Sequence, residues 1–252
     1  MSPHGSPDPA RARELEERLR AVRTRISSAA LSAGRDEPAL VVVTKYFPAS
    51  DVRILAALGV TDVGENRDQE AAAKAAELQD LDLAWHFIGQ LQTNKARSVV
   101  RYAHSVHSVD RLPLITALGK AVAAEQGRRA AAGTGAREDL HCFLQFTLDA
   151  GAGPASAGRG GALPGDAAHL AEACAATEGL RLAGVMAVAP LGADPAGAFE
   201  RLLRISADVR AVDPAASAVS AGMSADLEEA VAAGATHLRI GSDVLGPRPA
   251  VR

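Results

Sequence analysis

Residues 39–65 read ALVVVTKYFPASDVRILAALGVTDVGE. Ala39–Thr44 is a short apolar run rich in β-branched residues, the pattern of a strand buried on both faces. Ser50–Leu58 has helical character, and Asp62–Val63 opens a second apolar run. Strand, helix and strand in so short a stretch is a parallel βαβ unit with a right-handed crossover.

The unit repeats through the chain. Further apolar runs fall at Ala84–Ile88, His104–Val106, Leu140–Leu148, Leu182–Val188, Ala218–Val219 and His237–Ile240, which makes eight strands. Helical stretches lie between them at Arg67–Leu78, Arg111–Gln126, Asp166–Thr177, Ala196–Val209 and Asp226–Ala233. Eight such units predict an α/β fold, a single (β/α)8 TIM barrel. A doubly wound open sheet built from the same units is the structural alternative.

Ahead of the barrel, Pro9–Ser32 carries Leu15, Leu19, Val22 and Ile26 at helical spacing and predicts an additional N-terminal helix. Residues 1–8 are polar and Pro-rich and read as disordered, so the domain spans residues 9–252. Ala150–Gly165 reads AGAGPASAGRGGALPG and predicts a flexible loop after strand 5, with a shorter Gly/Ala-rich stretch at Ala130–Gly135.

Composition removes several function classes. A net charge of −3 leaves no electrostatic footprint for nucleic acid. No apolar run is long enough to span a bilayer, and Met1–Ala10 holds no signal-like apolar stretch. Cys142 and Cys174 make neither a disulfide framework nor a zinc site. The expectation is a cytoplasmic protein. Of the 27 basic residues only Lys45, Lys74, Lys95 and Lys120 are lysines, so amine chemistry has few candidates.

In a barrel of this type function sits at the C-terminal ends of the strands. Strand 1 ends at Lys45, directly after an apolar run. Such a lysine is either exposed in the loop or a base or Schiff-base nucleophile. Strand 2 ends Gly64-Glu65-Asn66-Arg67, where Asn66 is either an N-cap or a pocket residue. Strand 3 carries Trp85, His86 and Phe87 with Gln90, Gln92, Asn94 and Lys95 beyond, and its histidine reads equally as a core residue. After strand 4, Ser108 or Asp110 is placed to cap the next helix.

Strand 7 leads into Ser220-Ala221-Gly222-Met223-Ser224, and strand 8 into Arg239-Ile240-Gly241-Ser242. Two Ser/Gly loops after strands 7 and 8 form a phosphate cradle in this architecture, with ordinary turns and caps as the plainer reading. Arg239 alternates with Leu238 and Ile240 and points inward, where it needs an acceptor. An aldehyde for Lys45, a phosphate for the loops and a ring nitrogen near Arg239 describe pyridoxal 5′-phosphate (PLP).

These motifs together resemble the YggS/PROSC family of PLP-binding homeostasis proteins, which are similar to the alanine racemase barrel. The matching stretches are TKYFP at 44–48, GENRDQE at 64–70, WHFIGQLQTNK at 85–95, HSVD at 107–110, GVMAV at 184–188, SAGMSADLEEA at 220–230 and RIGSDVLG at 239–246. The resemblance implies a PLP-binding barrel in which Lys45 forms the aldimine. It implies that Gly222, Met223, Ser224, Gly241 and Ser242 hold the phosphate, with Ser220 nearby. Arg239 then faces the pyridine nitrogen, and Asn66 and His86 line the pocket near the ring. Two departures stand out: Thr147 occupies a strand-5 position where the family pattern has Asn, and Tyr46 and Phe47 are bulky.

The implied role is PLP homeostasis or carriage, with weak or no catalysis. An Arg facing the ring nitrogen disfavours its protonation and weakens the electron sink. A two-base racemase also needs a tyrosine from a further β domain. The sequence stops shortly after strand 8, and its tyrosines, Tyr46 and Tyr102, are not placed for that task. A low-activity amino-acid racemase and another phosphate-binding barrel enzyme are the alternatives. The expected partners are PLP and PLP-dependent apo-enzymes, and the expected state is a monomer.

Overall fold

The computed structural model of the chain describes residues 8–149, 160–190, 192 and 194–248. Eight strands, β1 (Ala39–Val43), β2 (Asp62–Glu65), β3 (Ala84–Phe87), β4 (Ser105–Val109), β5 (Leu140–Gln145), β6 (Leu180–Met186), β7 (Ala218–Ser220) and β8 (His237–Ile240), follow one another around a closed barrel. Every pairing is parallel, and β8 closes on β1 with Val41 opposite Arg239 and Val42 opposite Ile240. The barrel, not the open sheet, is the fold.

Around it stand α1 (Pro9–Ala33), α2 (Ala49–Ala57), α3 (Asp68–Glu77), α4 (Ala96–Val99), α5 (Leu112–Ala131), α6 (Ala167–Ala175), α7 (Pro195–Val212), α8 (Leu227–Ala233) and α9 (Ser242–Leu245). The predicted N-terminal helix is present and buries Leu15, Leu19, Val22 and Ile26. It lies against α2, α8 and α9. Asp8, expected to be disordered, is its N-cap and accepts a hydrogen bond from the Ala10 amide at 2.9 Å. The rest of that predicted disordered segment, and most of the predicted 150–165 loop, lie outside the described residues. Gly160–Gly165 is described, and Ala162 bridges to Phe146 beside β5.

Strand alternation separates two interiors. Val42, Val63, Phe87, Val106 and Leu144 face outward into the apolar layer between barrel and helices. The other face lines the barrel lumen. A Cβ on Gly64 would meet Val41, Val43 and Ile88 side chains there at 3.2–3.5 Å. The lumen is strongly polar in its lower half, which explains two differences from the predicted elements. Strand β4 runs on to Val109 because His107 and Ser108 are buried strand residues rather than a loop. Ser108 and Asp110 therefore do not cap α5, whose N-cap is Arg111.

Helix α4 has no counterpart in the predicted elements, because four residues leave too little periodicity to read. Helix α5 runs five residues beyond the predicted end, into the Gly/Ala-rich stretch. Glu125 holds Arg128 and Arg129 at 2.6 and 3.0 Å over its last turns.

Candidate functional site

The site is built at the C-terminal mouth of the barrel. Strand β1 ends at Val43, and Thr44 turns its hydroxyl outward to Glu65 Oε1 at 2.7 Å. Lys74 Nζ, from α3, donates to the same carboxylate at 2.6 Å and to the Thr44 carbonyl at 2.8 Å. Lys74 reads as a solvated helix residue in the sequence. In the structure it is a buried ion-pair partner that anchors the residue before Lys45.

Lys45 follows in a turn, half-buried. Among the described residues it has no hydrogen bond or ion pair, and its Nζ lies 5.9 Å from the centroid of the Tyr46 ring. Strand geometry predicts Tyr46 pointing away from Lys45. The chain has left the strand, however, and Tyr46 adopts φ 71°, which brings its ring back under three cations. Arg248 stacks on that ring at 3.5 Å and Arg67 at 5.3 Å. The mouth therefore carries concentrated positive charge around one aromatic plate.

Across the barrel the loops after β7 and β8 converge. Gly222 has φ 90°, and a Cβ there would come within 2.5 Å of Ala230 and 2.7 Å of Leu238. A Cβ on Gly241 would press on the Val43 carbonyl at 3.2 Å. Only glycine fits Gly222 without strain. The Met223 amide donates to Asp226 Oδ1 at 2.6 Å, which shapes the turn. Ser224 and Ser242 meet with their hydroxyl oxygens 3.3 Å apart. Ser242 opens α9, in which the Val244 and Leu245 amides donate to the Gly241 carbonyl at 3.1 and 2.9 Å, while the Ser242 and Asp243 amides have no acceptor within the helix. These are the features of an anion cradle.

Sequence reading missed the group that braces this cradle. Arg25, from α1, donates to Glu228 at 2.9 Å, to Asp243 at 2.7 Å and to the Ser224 carbonyl at 3.2 Å. Arg11, one end of the same helix, donates to the Leu245 carbonyl at 3.0 Å. No sequence signal marks either residue, because the contacts join positions about two hundred residues apart.

Arg239 points inward as predicted and is 5% exposed. Its Nη1 donates to Ser220 Oγ at 2.6 Å and its Nη2 to the Ala187 carbonyl at 2.9 Å. Burial lowers its pKa to about 10 while Asp226 opposes the shift, so the guanidinium stays charged at neutral pH. Ser220 is fully buried with its hydroxyl on Arg239 and His107, below the cradle rather than in it.

His86, expected to line the pocket near the ring, lies in the barrel lumen. It is 3% exposed in the lumen, with Nε2 on Asp62 at 2.9 Å and Nδ1 on Ser105 and His107 at 2.7 and 3.0 Å. Its side chain leaves β3 at the level of Ser105, the first residue of β4, and so sits deep in the barrel. Asn66 is half-buried and does not cap α3, whose N-cap is Arg67. Its Oδ1 is buried and has no hydrogen-bond partner among the described residues. It borders a cavity of about 470 Å³ that Arg67, Gln90 and Lys95 also line.

The structure thus brings Lys45, Asn66, Gly222, Met223, Ser224, Arg239, Gly241 and Ser242 to one end of the barrel. It sends His86 and Ser220 into the interior. A free amine, a two-loop anion cradle, a buried guanidinium and an orphaned amide oxygen fit a phosphorylated aromatic aldehyde.

Comparison with known proteins places the chain in a family. Residues 17–249 match the family described as alanine racemase, N-terminal domain. A pyridoxal phosphate homeostasis protein from Mycobacterium tuberculosis is 44% identical over 257 residues, covering 95% of each chain. The structure of PipY from Synechococcus elongatus with PLP bound superposes with a TM-score of 0.75 at 32% identity, covering 92% of this chain and all of that one. An alanine racemase from Streptomyces coelicolor shares the fold, with a TM-score of 0.70 at 20% identity, over 92% of this chain and 58% of its own.

Proposed function

The chain belongs to the alanine racemase N-terminal domain family and, within it, to the pyridoxal phosphate homeostasis proteins; from that premise we propose that it binds PLP and holds it in reserve for other proteins. One observation carries the reading: Lys45, with no hydrogen bond or ion pair among the described residues, shares the barrel mouth with the Ser224–Ser242 cradle. When bound, the cofactor supplies an aldehyde for covalent attachment and a conjugated ring as electron sink.

The chain's own groups divide the labour. Lys45 supplies the attaching amine, and the Glu65–Lys74 pair fixes the backbone before it. Gly222, Met223, Ser224, Gly241 and Ser242 receive the phosphate, with positive charge from Arg67 and Arg248 around Tyr46 raising the local anion concentration. Arg239 meets the ring nitrogen and disfavours its protonation. The Asn66 carboxamide, whose oxygen has no hydrogen-bond partner among the described residues, supplies a polar contact beside the ring.

Storage rather than turnover is supported by the tyrosines. The Tyr46 ring is covered by Arg248. Burial and Asp68 raise the Tyr102 pKa far above neutrality, and its hydroxyl donates to Asp68 at 3.4 Å. Neither is available as the second base of a racemase. We place the protein in the cytoplasm as a monomer whose recipients are PLP-dependent apo-enzymes. Among the described residues no helix is long and apolar enough to cross a membrane. The large hydrophobics exposed there are scattered, at Leu31, Leu112 and Met223.

The test is reconstitution with PLP followed by borohydride reduction and peptide mapping. The label is expected on Lys45 and lost in Lys45→Ala. A wild-type chain that takes up no PLP overturns the reading. Sustained, Lys45-dependent conversion of L-alanine to D-alanine replaces storage with racemisation.

A further inference from the structure

Among the described residues Arg239 is a buried cation with no carboxylate in contact; its partners there are a hydroxyl and a carbonyl. Such a charge is costly unless polar groups around it are oriented to receive it. The lumen supplies that orientation. Below Arg239 runs an unbroken series of hydrogen bonds: Ser220 Oγ to His107 Nδ1 at 2.9 Å, His107 Nε2 to His86 Nδ1 at 3.0 Å, and His86 Nε2 to Asp62 Oδ1 at 2.9 Å. Ser105 Oγ bridges the two imidazoles at 2.7 and 3.0 Å. The members come from β8, β7, β4, β3 and β2, so no short sequence motif contains them.

The two ends fix the outermost links. A guanidinium can only donate, and an ionised carboxylate can only accept. Burial works against the Asp62 charge, but hydrogen bonds from His86 and Thr61 outweigh it and hold the carboxyl below its usual range. The His107 imidazole is neutral, because burial, followed by His86 and Arg239, drives its pKa well down. A neutral imidazole has one donor and one acceptor nitrogen.

With both imidazoles neutral, one arrangement satisfies every link. Arg239 donates to Ser220, and the Ser220 hydroxyl donates to His107 Nδ1. His107 Nε2–H donates toward His86 Nδ1, and His86 Nε2–H donates to Asp62. Each link polarises the next, from cation to anion. The groups facing His107 are all accounted for: it stacks on Phe143 of β5 at 4.1 Å and meets His86 and His237 edge-on at 5.1 and 6.5 Å. Arg239 adds positive charge, and His104, whose own pKa burial lowers, opposes a proton on His107 only when it is itself charged.

We propose that Ser220 and His107 are positioning residues for Arg239: through this directed chain, anchored at Asp62, they hold the guanidinium in one orientation and so set the donor that the ring end of the ligand meets. The proposal rests on the PLP reading for what Arg239 meets, and on the hydrogen-bond geometry with neutral imidazoles for the direction of the chain.

Two measurements test it. Nitrogen-15 NMR of the histidine side chains, on the full chain without ligand, is expected to show His107 neutral with its proton on Nε2 at pH 7. A proton on Nδ1, or an imidazolium, overturns the chain. In binding assays, Ser220→Ala is expected to weaken PLP about tenfold while leaving the affinity for inorganic phosphate within twofold, since the cradle is untouched. Ser220→Thr, which restores a hydroxyl, recovers most of the loss. Asp62→Asn, at the far end, is expected to give mixed His107 tautomers and a PLP affinity about threefold weaker. Ser220→Ala binding PLP as tightly as wild type, or losing phosphate equally, overturns the positioning role. A wild-type chain that binds no PLP removes the role at the ring together with the proposed function, while the tautomer measurement still decides the direction of the chain.

Discussion

The hydroxyl oxygens of Ser224 and Ser242 stand 3.3 Å apart at the mouth of the barrel, close enough to bind one oxyanion together. Each is expected to donate to the same phosphate, and a hydrogen bond to a charged group is worth about 1.5–3 kcal/mol. Ser224→Ala and Ser242→Ala should each weaken PLP about tenfold or more. Because they share one ligand, the double variant should lose less than the sum of the two. Isothermal titration with PLP and with pyridoxal, which lacks the phosphate, checks this: pyridoxal affinity should not change.

The Arg25 brace predicts an effect from outside the cradle. Arg25→Ala frees the Ser224 carbonyl, Glu228 and Asp243 at once. A helix of four residues such as α9 does not hold its shape unaided. PLP affinity should fall about threefold with pyridoxal affinity unchanged. An equal loss for both ligands would show that α1 supports the barrel in general and not the phosphate loops.

The Lys74–Glu65 pair predicts a large stability cost. Lys74→Met leaves the Glu65 carboxylate, 1% exposed, without its cation. Removing one partner of a buried pair costs about 3–5 kcal/mol, whereas replacing both with neutral groups is often close to neutral. Urea unfolding should show that loss for Lys74→Met and a much smaller one for Glu65→Gln with Lys74→Met.

The histidines of the lumen predict acid sensitivity. Burial, with neighbouring positive groups, lowers the pKa of His141 and of His237 to about 4. Below about pH 6.5 the unfolded chain binds protons that the folded chain refuses. Stability is therefore full above that pH and falls as the pH drops toward 4. The separation is worth about 3 kcal/mol for His237 if its site stays dry. Asp62, whose carboxyl is also held low, adds to the loss at still lower pH. Thermal unfolding between pH 4 and 8 should show the midpoint dropping below pH 6.5, and His237→Gln should flatten that slope.

Much of the fold could be read before any tertiary contact was known. The apolar runs at β1, β2 and β8 and the Ala-rich stretches between them announce parallel βαβ units, because strands buried on both faces cannot carry polar residues freely. The same logic failed at β4. Its inward face carries His107, and a buried imidazole looks like a loop residue when its partners are unseen. Tyr46 went astray for a related reason: alternation holds only while the chain remains a strand, and the positive φ begins just past it.

The sequence alone determined the eight strands and most of the helices between them, the inward Arg239, Lys45 at a strand end and the paired Ser/Gly loops, while the tertiary structure chose the closed barrel over the open sheet. Each depends on local periodicity or on a residue's position relative to its own strand, and those are written in short windows. Tertiary structure alone decided the interior roles of His86 and Ser220, the burial of Lys74 against Glu65 and the reach of Arg25 to the cradle. Those are partnerships between residues of different strands and helices. A hydrogen bond or ion pair has meaning only when burial and distance are known, and closure of the barrel sets both.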